Sequence, residues 1–112
     1  MGRREAEALL PLKPSWLQVL LSLAGDARHG YAIMQEVAER TGGKVRLWPA
    51  TLYGTIRQLE EEGLVRSDPH GSDDPRRRCY QLTPLGREVL AAEMRRLEQL
   101  VRLARARGVV GS

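Results

Sequence analysis

Residues 50–65 constrain the fold more than any other stretch of the chain. They read Ala-Thr-Leu-Tyr-Gly-Thr-Ile-Arg-Gln-Leu-Glu-Glu-Glu-Gly-Leu-Val. Leu52, Ile56 and Leu59 recur at i, i+4 and i+7, the spacing of one face of a helix. Gly63 stands where a left-handed C-terminal cap belongs, and Leu64 is placed to pack back on Leu59, as in a Schellman stop. Two β-compatible runs follow, Leu64 to Asp68 and Arg77 to Leu82, around the turn-forming His70-Gly71-Ser72-Asp73-Asp74-Pro75.

Upstream, Pro14 and Ser15 open a helix, with Pro suited to a first turn and Ser15 and Gln18 at capping-box spacing. Trp16, Leu17, Val19, Leu20, Leu21 and Leu23 make this helix apolar nearly all round, which predicts burial on more than one side. Gly25 and Asp26 end it. His29 to Thr41 reads as a second helix, with Tyr31, Ile33, Met34, Val37 and Ala38 inward and Gln35, Glu36, Glu39 and Arg40 facing water. Gly42 and Gly43 stop it, Lys44 to Trp48 alternates as an extended segment would, and Pro49 begins the third helix. Thr83 caps a last helix that starts at Pro84 and runs to about Arg107. The order helix, helix, helix, strand, turn, strand is that of a winged helix-turn-helix. The expected fold is therefore mainly α with a small β-hairpin, plus a long C-terminal helix. Residues 1–13 read as an N-terminal arm, flexible in part; 14–83 as the winged helix-turn-helix; 84–107 as a dimerisation helix; 108–112 as a loose tail.

A chain of 112 residues allows one domain and hardly two. The formal net charge of +4 is modest, but its distribution is uneven. Between Arg76 and Arg107 nine arginines face three glutamates, so the remainder is slightly acidic. Basic charge gathered on one segment is a first sign of a nucleic-acid partner. Cys79 is alone, which excludes an intramolecular disulfide or a zinc quartet and suits a reducing cytoplasm. The longest apolar run, near Trp16 to Ala24, is too short to span a bilayer, and no signal-peptide core is present. These features predict a cytoplasmic protein without a membrane partner.

The last helix spans about 24 residues, roughly 36 Å. Leu90, Met94, Leu97, Val101 and Ala104 are spaced 4, 3, 4, 3, the pattern of a helix-on-helix seam. Its later positions extend past the winged domain, so the seam predicts a homodimer, with Trp16 and Leu20 of the first helix joining the interface. Two copies related by a two-fold axis would read two half-sites about one helical turn apart.

The outward face of the third helix holds Ala50, Gly54, Arg57 and Gln58, flanked by Thr51 and Tyr53. Thr51 and Tyr53, in its first turn, suit phosphate oxygens. A glycine at position 54 lets a groove wall press close, at roughly 1 kcal/mol of helix propensity. Arg57 suits a guanine edge, with Gln58 as a second reader. Arg76, Arg77 and Arg78 follow the wing turn and suit the duplex backbone or minor groove. Glu60, Glu61 and Glu62 oppose both the helix dipole and phosphate, so the helix should approach double-stranded DNA by its N-terminal end.

Catalytic chemistry has no evident home. His29 and His70 have no partner at metal-site spacing, and His29 reads as a helix cap. Gly42-Gly43-Lys44 is only a fragment of a phosphate loop. No metal, cofactor or catalytic residue is expected.

Three stretches together resemble the PadR family of bacterial transcriptional regulators: His29-Gly30-Tyr31-Ala32-Ile33, Ala50 to Val65, and Arg78-Cys79-Tyr80-Gln81-Leu82-Thr83-Pro84-Leu85-Gly86-Arg87. With their spacing they cover roughly residues 15–105. The resemblance implies a homodimeric winged-helix repressor of a palindromic operator, with Thr51 and Tyr53 on DNA and Arg76 to Arg78 on the wing. Some drug-sensing members place a tryptophan that stacks on flat ligands at the position of Leu97. No aromatic follows Tyr80 here, so the resemblance does not extend to that stacking, although Trp16 remains a candidate to line a central pocket. A small-molecule effector is left open and unnamed. Two alternatives stand beside this reading: a regulator triggered by a partner protein, and a winged-helix interaction module that never touches DNA.

Overall fold

The computed structural model describes residues 3–68, 73–74 and 77–111. In order the elements are α1 (Arg3–Ala8), α2 (Pro14–Ser22), β1 (Arg28–His29), α3 (Gly30–Arg40), α4 (Pro49–Glu61), β2 (Val65–Ser67), β3 (Cys79–Leu82) and α5 (Pro84–Ala106). The fold is a winged helix, mainly helical around a small antiparallel sheet of order β1-β3-β2. His70 and Arg76, both singled out in the sequence, lie outside the described residues.

Helix α2 begins at Pro14 with extended Lys13 as its N-cap and no side-chain cap bond. Ser15 is already inside the helix, so the expected capping box does not start it; the preset φ of Pro14 does. Val19 and Leu20 have no accessible surface and Trp16 only 8 %. The helix stops at Ser22, short of Gly25.

The second helix starts one residue later than expected, because Arg28 and His29 form a strand. They pair antiparallel with β3, Arg28 opposite Tyr80 and His29 opposite Cys79. On α3, Ile33 and Val37 are fully buried, but Tyr31, expected inward, is 55 % exposed. Arg40, expected to face water, reaches back to α2. Its Nη2 donates to Gln18 Oε1 at 2.8 Å, to the Gln18 carbonyl at 3.0 Å and to Ser22 Oγ at 3.2 Å. Among the described residues no strand forms over 44–48; instead Thr41 Oγ1 accepts from Val45 N at 3.0 Å and closes the turn.

Helix α4 ends as its sequence predicts. Gly63 adopts φ 77°, Leu64 N donates to Leu59 O at 2.9 Å and Gly63 N to Glu60 O at 3.0 Å. These are the two bonds of a Schellman motif, and Leu59 and Leu64 are both fully buried beneath it. The chain then enters β2, which pairs with β3 in the register Val65–Leu82, Arg66–Gln81 and Ser67–Tyr80. Thr83 caps α5 through its hydroxyl, which accepts from Gly86 N at 3.0 Å.

The sequence did not announce α1 within the expected arm. Ala6 is 2 % and Leu12 8 % exposed, packed in the common core, and α1 lies against α5. The anchor is Glu93, itself 1 % exposed. Its Oε2 accepts from Leu12 N at 2.8 Å, and its Oε1 pairs with Arg96. A buried carboxylate is tolerated only when such charge-assisted bonds replace its water. The Arg96 bond, helped by the Leu12 amide and opposed by burial, holds the Glu93 carboxyl below the usual carboxylate range. A depressed folded value means that this stabilisation is present above the unfolded value and is lost as pH falls through the folded one. Glu93→Ala should lower stability by about 1–3 kcal/mol at neutral pH, since it orphans a buried amide. The gap between variant and wild type should narrow on acidification. Urea denaturation at a series of pH values checks both, and equal midpoints at neutral pH would remove Glu93 as the anchor.

Among the described residues, no helix is long and apolar enough to cross a membrane.

Candidate nucleic-acid interface

Helix α4 turns Leu52, Thr55, Ile56 and Leu59 into the core, which leaves the opposite face to solvent. Ala50, Thr51, Arg57 and Gln58 are exposed and Gly54 is half-buried. Among the described residues Arg57 has no ion-pair partner. A Cβ built at Gly54 would meet nothing within 4 Å, so the chain's own packing does not require glycine there.

Two expected contacts are engaged within the chain. The Tyr53 ring packs against the core, and its hydroxyl oxygen has almost no accessible surface. Tyr53 therefore does not offer its hydroxyl at the surface in this conformation. Gln58 Oε1 accepts from Trp16 Nε1 at 3.1 Å, so its carbonyl is engaged inside the chain. That bond joins a residue expected on DNA to one expected at a dimer contact, a link between α4 and α2 that periodicity alone does not reveal.

The arginines of the wing separate. Arg77 is exposed, and its carbonyl accepts from His29 Nδ1 at 2.7 Å. His29 sits at the N-cap position of α3 but makes no side-chain cap bond. Its imidazole instead clasps β1 to the chain entering β3, with Cys79 Sγ 3.7 Å from Nδ1. Arg78 is half-buried; its Nη2 donates to Asp73 O at 3.3 Å, and its guanidinium hydrogen-bonds Tyr80. Burial pushes the Tyr80 phenol above its ordinary pKa, and the Arg78 charge opposes that rise. Arg77 therefore presents its charge outward, while Arg78 also ties the wing together. Glu61 and Glu62 are exposed at the far end of α4, about 15 Å along the axis from Thr51.

The residues expected at a dimer contact also divide. Trp16, Leu20 and Leu90 are 8 %, 0 % and 7 % exposed, so they are core residues of the single chain. Leu20 has no surface left to offer a partner, because α2 is covered on several sides. Met94, Leu97 and Ala104 are half-buried and Val101 is exposed, joined by exposed Leu100 and Leu103. Met94 packs against the core, whereas Leu97 to Ala104 are in the later part of α5, outside that cluster. The molecule measures 50 × 35 × 21 Å with a radius of gyration of 15.1 Å. A compact chain of this length would have a radius of about 13 Å.

Residues 19–92, from α2 to the middle of α5, match the transcriptional regulator PadR-like family. The chain belongs to the PadR-like family. Members of this family regulate transcription and are not enzymes. This PadR-like chain is 40 % identical over 86 residues to a transcriptional regulator of Mycobacterium tuberculosis, covering 77 % of this chain and 78 % of that one. It is 39 % identical over 82 residues to an uncharacterised 37.1 kDa transposon protein of Streptomyces fradiae, covering 73 % of this chain but 22 % of that protein. Among solved structures it is similar to a transcriptional regulator from Clostridium thermocellum, with TM-score 0.68 and 22 % identity over 82 % of this chain and 87 % of that one. RosR of H. salinarum superposes with TM-score 0.63 and 25 % identity, covering 88 % and 97 %. A MarR family regulator from Neisseria meningitidis gives TM-score 0.61 and 21 % identity, covering 93 % and 66 %. These likenesses show the winged-helix fold.

Proposed function

We propose that this PadR-like chain acts in the cytoplasm as a homodimeric repressor that binds a palindromic operator. Helix α4 enters the major groove by its N-terminal half, and the wing lies on the adjoining backbone. The observation that carries this reading is the exposed face of α4, where Thr51, the bare Gly54 and the exposed Arg57 lie opposite the buried stripe. The apolar end of α5 supports a second copy, and the similarity to a transcriptional regulator supports the DNA partner.

Selection of random duplexes on the purified protein, with sedimentation of the complex, tests it. An enriched palindrome bound by two chains is the expected result, and no enrichment would overturn the operator reading. Within that operator, Arg57→Ala should remove roughly 1–3 kcal/mol of discrimination against a mismatched base pair. Competition between operator and single-mismatch duplexes measures this, and an unchanged preference would take Arg57 out of base reading.

A further inference from the structure

We propose that Tyr31 and Trp48 form an aromatic platform that packs on the sugar–phosphate backbone of duplex DNA, beside the groove that α4 enters; this rests on the DNA-binding reading above. Among the described residues these are the exposed aromatics. Tyr31 keeps 55 % and Trp48 66 % of its surface, whereas Trp16 and Tyr80 are buried. The fold gains nothing from leaving two large rings in water. They stand at the starts of the two helices of the helix-turn-helix, Tyr31 in the first turn of α3 and Trp48 as the N-cap of α4.

The surroundings identify the partner. Tyr31 and Trp48 share a hollow of about 360 Å³ with Arg46 and Leu47. On its other side Tyr31 borders a hollow of about 420 Å³ with His29 and Arg77. The two hollows share Tyr31, so a strip runs from Arg77, past Tyr31, to Trp48 and Pro49 at the start of α4. Among the described residues no carboxylate lines either hollow. Arg46 and Arg77 have no ion-pair partner among the described residues, while Glu36 on α3 is held by Arg28 and Arg40. Flat apolar rings between free cations suit a ligand that alternates flat, weakly polar faces with negative charge. The deoxyribose–phosphate chain has that alternation: rings lie on sugars, the phenol and the indole N–H donate to phosphate oxygens, and the arginines supply counter-charge. Such contacts orient the protein on the duplex and read no sequence.

Acrylamide quenching of tryptophan emission tests this, because the quencher reaches Trp48 and hardly reaches the buried Trp16. Trp48→Phe confirms which residue gives the quenchable signal. The probe is a mixed-sequence duplex of roughly 30 base pairs, three helical turns, with binding followed separately by the anisotropy of a dye on the DNA. At saturation the quenching constant should fall several-fold. The double variant Tyr31→Ala, Trp48→Ala should keep the wild-type melting temperature and bind all duplexes more weakly, by roughly tenfold. Full anisotropy with unchanged quenching overturns the platform and leaves the DNA reading standing. No duplex binding at low salt overturns both. A Trp48 already shielded in the free protein overturns the platform and assigns the strip to a second copy of the chain.

Discussion

Gly86→Ala is expected to destabilise the chain by about 3 kcal/mol, at the upper end of what overpacking costs. A Cβ at this position would stand 2.9 Å from the carbonyl carbon of Leu64 and closer still to its oxygen. Neither side yields easily. The Leu64 carbonyl accepts from Thr83 N at 3.1 Å, and the Leu64 amide completes the Schellman stop of α4. Gly86 N is itself held by Thr83 Oγ1. The methyl would therefore lever the first turn of α5 off the start of the wing. The melting temperature followed by circular dichroism should fall by roughly 10–20 °C for a domain of this size. A fall of only about 2 °C would mean that α5 does not cross Leu64 as closely as the structure has it. Gly54→Ala is the contrasting case. Nothing lies within 4 Å of its Cβ, so alanine should raise stability by roughly 0.5–1 kcal/mol through helix propensity. It should weaken operator binding at the same time if the groove wall presses against α4.

These two glycines also mark what could be read from the residues alone. Signals that act within a few residues were legible: the Gly63 stop, the Thr83 cap, the Pro49 and Pro84 helix starts and the Leu52, Ile56, Leu59 stripe all stand where the sequence puts them. Local rules describe local hydrogen bonds, and these elements depend on little else. Features made by partners far along the chain were not legible. Strand β1 is two residues long and exists only because β3 lies beside it, some fifty positions on. Helix α1 packs on α5, and the chain that follows it is held at Leu12 by a carboxylate at position 93. The same limit applies to the site. Periodicity identified the outward face of α4 and the exposure of Arg57, but not that Gln58 is engaged by Trp16 or that the Tyr53 hydroxyl is buried. It also put Tyr31 inward, because helical periodicity assigns a side by angle and takes no account of where the neighbouring elements end.

Val101→Asp should convert the proposed dimer to a monomer. Val101 is 41 % exposed, between Leu100 at 51 % and Leu103 at 48 %, on a stretch of α5 that its own chain leaves open. Leucine and valine side chains repay burial by about 1.5–3 kcal/mol each, so this stretch is the part of the helix with most to gain from a second copy. In an isologous interface every substitution appears twice. An unpaired carboxylate held in a contact costs about 3–5 kcal/mol, which raises the dissociation constant by roughly two to four orders of magnitude. The high end is the better expectation. Arg105 lies four residues on and can pair with the new aspartate in the free monomer, which favours dissociation further. Val101 is not part of the core, so the variant's chain should fold and melt as a monomer does. Sedimentation should show wild type at twice the chain mass of 12.6 kDa and the variant at that mass, with Val101→Leu remaining a dimer. A Val101→Asp protein that still sediments as a dimer would move the interface elsewhere, toward the α1–α5 surface. A monomer should also lose the joint reading of two half-sites while keeping the weak, salt-sensitive affinity of a single α4 and wing.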